Sequence, residues 1–168
     1  MRSARGGARI QTSSQAEEKQ YLRDGRAPLP RLTSTSRVMS SNRAGNTRPE
    51  IELRSALRRQ GLPDFEENPS TVTGRPDIVF RSERVAVFVH GCFWHRCPHC
   101  KPALPKSHRV FWREKFRANR LRDARKSRQL RSEGWSVLTV WECQVLIEPE
   151  RAARRVARAL KSGNPGLN

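Results

Sequence analysis

Gly74-Arg75-Pro76-Asp77-Ile78-Val79-Phe80, the polar break Arg81 to Arg84, and Val85-Ala86-Val87-Phe88-Val89-His90-Gly91 read together as a β-hairpin. β-Branched and aromatic residues fill both runs, and the break between them is long enough for a turn. Val85 to Val89 is the longest continuous apolar run and fits a buried strand. Asp is poor inside strands, so Asp77 at the strand entrance is a turn former or a site residue. The antiparallel return brings His90 towards Asp77.

Outward from this hairpin the pattern is mixed α/β. Thr47-Arg48-Pro49-Glu50 carries a cap residue, a first-turn Pro and an acid at the positive end of a helix, and Gly61 stops it. Pro63 to Gly74 is punctuated by Pro and Gly. A long helix is expected from Val110 to about Glu133, with Phe111 and Phe116 on its apolar side and Leu121, Ala124 and Leu130 continuing it. Trp135 to Trp141 alternates as a strand, and Arg151 to Lys161 forms a closing basic helix. No internal repeat is present.

The chain has 168 residues, and 34 Lys plus Arg against 16 Asp plus Glu give a net charge of +18. Such an excess suits a polyanion, since neutralising phosphates releases counter-ions. No stretch approaches the roughly 20 apolar residues of a membrane span, and the polar N-terminus lacks the apolar core of a secretory signal. Residues 1–46 hold 9 basic and 3 acidic residues with only scattered apolar ones. The expected organisation is a disordered basic arm over residues 1–36, one domain over 37–162, and a disordered tail over 163–168.

Two constellations carry chemistry. Cys92, Cys97 and Cys100 lie within nine residues, and Cys143 follows the last strand. Thiolates at this spacing suit a tetrahedral structural zinc, with Cys143 closing the shell and His99 or His95 as competitors for its place. A disulfide is disfavoured in a chain without secretion signals. The other constellation is Asp77 with His90 and His95. An acid that holds Mg²⁺ and a histidine that deprotonates water are what metal-assisted phosphodiester hydrolysis requires. Phe93-Trp94 lies between Cys92 and His95, and adjacent aromatics on a rigid loop can wedge between bases.

Gly74-Arg75-Pro76-Asp77, His90-Gly91-Cys92-Phe93-Trp94-His95, Phe111-Trp112 with Lys115, Asn119 and Arg122-Asp123, and Gly134-Trp135 leading to Val140-Trp141-Glu142-Cys143 together resemble the very short patch repair DNA mismatch endonucleases. The match runs in order from about Arg37 to about Leu160. It implies a restriction-endonuclease-like mixed sheet flanked by helices. It also implies nicking of double-stranded DNA 5′ to the T of a T:G mismatch, the product of 5-methylcytosine deamination. By carry-over, Asp77 is the principal Mg²⁺ ligand with the Val89 backbone carbonyl nearby, and His95 is the general base. His90 assists at the scissile phosphate, Glu50 contributes a carboxylate through metal-bound water, and Asp123 is a candidate for orienting a histidine. Phe93, Trp94 and Trp112 enter the duplex beside the mismatch, and Met39 is offered from the other groove.

Nucleases of that fold usually set an acid-x-lysine on the next strand, where this chain has Phe88-Val89-His90, so a histidine must activate water. The loop carries Cys97 where some family members have histidine, which makes the zinc set all-thiolate: Cys92, Cys97, Cys100 and Cys143. The resemblance also implies a monomer acting on DNA in the bacterial cytoplasm, with repair proteins as further partners. A restriction-type endonuclease of the same fold and a non-catalytic zinc-stapled DNA-binding module are the alternatives. The joint presence of Asp77, His90 and His95 weighs against the last.

Overall fold

The apolar run at residues 85–89 lies in a central strand of a four-stranded sheet. A computed structural model describes residues 45–162; the arm, Met39 and the tail lie outside the described residues. The elements are α1 (Arg48–Arg59), β1 (Glu66–Glu67), β2 (Ile78–Phe80), β3 (Val85–His90), α2 (Arg109–Ser132), β4 (Ser136–Trp141), α3 (Glu142–Ile147) and α4 (Pro149–Ser162). Strand order is β1-β2-β3-β4. The β2–β3 hairpin is antiparallel, with Ile78 opposite Val87, whereas β3 and β4 run parallel, with His90 opposite Trp141. Parallel neighbours need a crossover, and α2 supplies it.

Successive side chains of a strand point to opposite faces, so a strand covered on both sides reads as continuous apolar sequence. Val85 and Val87 pack with Ile78, Phe80 and Val140 beneath α1 and α4, against Leu53, Leu57 and Val156. Ala86 and Phe88 point the other way, to Val79, Val72 and Leu130 of α2. A third cluster, Phe111, Trp112 and Phe116, lies at the start of α2 and is covered by Phe93 and Trp94.

Four details differ from the sequence reading. The edge strand β1 and the short α3 were not foreseen: β1 is two glutamates, and α3 is only six residues long. The closing helix starts at Pro149 rather than Arg151, because a Pro in the first turn loses no helical hydrogen bond. Leu121, expected on the apolar side of α2, is 60 % exposed, and Ala124 is exposed as well. The sheltered stripe instead runs through Trp112, Phe116, Asn119, Asp123, Lys126 and Leu130, at alternating steps of three and four. Thr47 occupies the N-cap position of α1, yet its hydroxyl donates to Glu50 Oε1 (2.7 Å) rather than accepting from the helix backbone.

Candidate active site and thiol cluster

Asp77 stands just before β2, where its N–H donates to the Val87 carbonyl and its Oδ2 accepts from the Val89 N–H at 2.6 Å. The hairpin register thus fixes the carboxylate beside the end of β3. His90 closes that strand, and its ring stacks on His95 with centroids 4.0 Å apart. His95 is set by the tight loop after β3, whose first turn is closed by the His95 N–H to the Gly91 carbonyl. On the far side of its ring, His95 Nδ1 meets Asp123 Oδ2 of α2 at 2.5 Å. Asp77, His90, His95 and Asp123, joined by Arg75, Lys126 and others, line a single cavity of about 170 Å³.

The electrostatics follow from this packing. Burial raises the Asp77 carboxyl to about 6, against the Val89 hydrogen bond that lowers it, and the Glu50 charge adds to the rise. An ionised carboxylate sheltered in this way lacks a full countercharge, which is the situation a bound cation relieves. Burial and the neighbouring His95 lower His90 to about 4, so it is neutral near pH 7. Burial pushes Asp123 up, but the His95 hydrogen bond and the His95, His90 and Arg122 charges outweigh it, and the net shift is downward. An ionised Asp123 at Nδ1 leaves Nε2 as the free basic nitrogen of His95.

Glu50 is buried, and its oxygens are engaged by Arg54 (3.2 Å), the Asn46 N–H (2.8 Å) and the Thr47 hydroxyl. It acts on Asp77 through its charge. Arg54, itself buried, bridges Glu50 to Glu67 of β1 at 3.0 Å. Trp112, expected to enter a duplex, is only 5 % exposed. It stacks on Phe116 and meets Phe93 and Phe111 edge-on, so it forms the floor beneath the partly exposed Phe93 and Trp94. Asn119 Nδ2 donates to the Trp94 carbonyl at 3.0 Å, one turn of α2 before Asp123 holds His95. Helix α2 therefore grips two consecutive loop residues.

The four cysteines are free thiols whose sulfurs all lie within 4.8 Å of one another. Cys97 and Cys143 Sγ are 3.8 Å apart, and a tetrahedral zinc with Zn–S bonds of about 2.3 Å requires roughly that separation. Backbone N–H groups of Cys100 and His99 point at Cys97 and, against burial, lower its thiol, whereas burial raises Cys92 and Cys143. Glu142, at the start of α3, accepts the Cys92 N–H at 2.8 Å and anchors the loop to β4. Neither competing histidine joins the set: His95 is held by Asp123, and among the described residues the close-set group comprises the four sulfurs without His99.

Sequence reasoning missed Lys126 and Arg75 as cavity residues. Lys126 follows Asp123 by three positions, hence on the same helix face, and its stem lies against Gly74, where an added Cβ would come within 3.2 Å. Gly74 and Arg75 both have positive φ, 79° and 53°, which turns the chain sharply into Asp77.

A family model described as DNA mismatch endonuclease Vsr matches residues 32–101. The type II nicking enzyme V.NaeI of Lentzea aerocolonigenes is 38 % identical over 83 % of this chain and 86 % of its own length. The chain belongs to the Vsr DNA endonuclease family. The type II nicking enzyme V.XorIIP of Xanthomonas oryzae pv. oryzae is 45 % identical over 64 % of this chain and 79 % of the relative. DNA mismatch endonuclease Vsr of Escherichia coli (strain K12) is 40 % identical over 64 % and 69 %. The fold is accordingly the restriction-endonuclease-like sheet of the Vsr family, and the substrate of this Vsr-family endonuclease is DNA. None of the described helices is long and apolar enough to cross a membrane.

Proposed function

We propose that this endonuclease nicks duplex DNA 5′ to the T of a T:G mismatch, in a Mg²⁺-dependent reaction that initiates very short patch repair. The observation that carries the reading is the convergence of Asp77, His90, His95 and Asp123 on one cavity. A divalent cation held by the Asp77 carboxylate and the Val89 carbonyl would polarise the scissile phosphate and offset its developing charge. Asp123 holds the His95 ring so that Nε2 takes the proton from the attacking water. Neutral His90, stacked on His95, donates a hydrogen bond at the phosphate. Glu50 supplies negative charge behind Asp77 and would act on a bound cation through water. Phe93 and Trp94 insert beside the mismatched step, with Trp112 backing them and Met39 approaching from the other groove. A mispaired step costs less to unstack than a paired one, so insertion doubles as recognition. Zinc held by Cys92, Cys97, Cys100 and Cys143 would fix the loop that carries both the wedge and His95.

A second reading has specific support: V.NaeI and V.XorIIP are named as type II nicking enzymes, which favours a restriction-type nicking endonuclease of the same fold. Strand-specific cleavage of end-labelled duplexes that differ only in a T:G, T:A or C:G pair tests the proposal. A single cut 5′ to the mispaired T supports it, and equal cutting of the matched duplexes overturns it. Repeating the series in several flanking sequences separates the two readings.

A further inference from the structure

Helix α4 carries far more positive charge than packing its inner face requires. Ala152, Ala153 and Val156 face the core. Arg151, Arg154, Arg158 and Lys161, at i, i+3, i+7 and i+10, line a surface depression of about 520 Å³. Arg155 joins Arg151 and Arg158 along an adjoining groove of about 640 Å³, which His99 and Cys100 of the thiol loop also line. The acid common to both walls is Glu148, which pairs with Arg151 at 3.6 Å and Arg154 at 3.1 Å. Arg158 and Lys161 have no carboxylate partner among the described residues. Like charges three and four apart destabilise a helix. Five cations against the one acid that lines these depressions favour an anion from outside.

We propose that this face of α4, with the groove it forms against the thiol loop, is a second DNA-backbone contact that seats the phosphates of one flank of the duplex. Two features favour phosphates over an acidic protein. The stripe is straight, and the ten steps from Arg151 to Lys161 span about 15 Å at 1.5 Å per residue. At a rise of about 3.4 Å per phosphate along one strand, that length serves roughly four phosphates. The groove and the catalytic cavity also draw on one loop, which lines the groove at His99 and Cys100 and the cavity at His95. The contact rests on DNA being the substrate and not on the mismatch reading.

Fluorescence anisotropy with duplexes over about 50–200 mM salt tests it, comparing wild type with the triple variant Arg151→Gln/Arg155→Gln/Arg158→Gln. With log K falling by about 0.9 per log salt for each phosphate contact, the triple variant should lose about 2–3 units of slope. Its single-turnover nicking rate at saturating DNA should be unchanged, because these side chains lie outside the catalytic cavity. The triple Arg→Lys variant should keep the wild-type slope. A length series on the wild-type protein needs no substitution: trimming one flank should reduce the slope, and trimming the other should not. A wild-type slope in the Gln variant, or no flank whose removal lowers the slope, overturns the proposal. Retained DNA affinity with lost binding of a polyglutamate probe overturns it in favour of an acidic protein partner.

Discussion

Replacing Asp77 by Asn should make the metal-free protein more stable while abolishing nicking. Burial holds the Asp77 carboxyl at about 6, above its ordinary 3.8. The folded state therefore binds the proton more tightly than the unfolded chain. Its contribution to stability is full below pH 4 and is lost as pH rises through about 6. At 1.36 kcal/mol per unit, the 2.2-unit gap (6 − 3.8) sets a ceiling of about 3 kcal/mol. Asp77 is partly exposed, and solvent reduces this, so about 1–3 kcal/mol is expected at pH 7. Asn keeps an oxygen to accept the Val89 N–H and carries no charge to desolvate. Urea unfolding of both proteins in EDTA, from pH 4 to pH 8, reads the difference directly. The curves should coincide near pH 4 and diverge in favour of Asn by pH 7, with added Mg²⁺ narrowing the gap by stabilising only the wild type. An Asn variant less stable than wild type throughout the range would refute the idea that a sheltered, uncompensated carboxylate occupies this site.

Asp123→Asn removes the anion that fixes the His95 ring, and single-turnover nicking should fall by about 10²–10⁴, the usual worth of a positioned base, with DNA affinity little changed by anisotropy. Elemental analysis should find one zinc per chain, and Cys143→Ser should lose most of it and unfold at lower temperature; a metal-free wild type of equal stability would contradict the zinc assignment. Leu130→Ala, at the α2–sheet contact, should cost about 2–5 kcal/mol in urea unfolding, the range for a fully buried leucine. Trp94→Ala should reduce the preference for T:G over T:A in parallel nicking assays more than it reduces the rate on T:G, because it removes the wedge and leaves the cavity intact.

Much of this arrangement is legible in the sequence because the hairpin is built from strong local signals. The runs at 78–80 and 85–90 could be little other than strands, and their antiparallel return brings Asp77 and His90 to one end. The thiol set is likewise legible from spacing, although only the fold shows His99 outside the sulfur group and His95 engaged elsewhere. What the sequence hides lies on α2. The sheltered stripe there should be apolar by period, but Asn119, Asp123 and Lys126 occupy it, each serving the loop or the cavity. Apolar residues left on the outer face, Leu121 among them, draw a pattern reading to the wrong side. The edge strand β1 escaped for a related reason: its glutamates are held by Arg54, Arg58 and Arg81 across the chain, partners no local window contains. Trp112 shows the opposite limit, since a motif names the residue but not the depth at which it sits.

The most direct measurement is single-turnover nicking of a saturating T:G duplex by wild type and Asp77→Ala, with Mg²⁺ or EDTA, alongside binding of the same duplex. The account predicts nicking by wild type only, only with Mg²⁺, and binding by both proteins within a few-fold. Nicking by Asp77→Ala at the wild-type rate, or by wild type in EDTA, would contradict it.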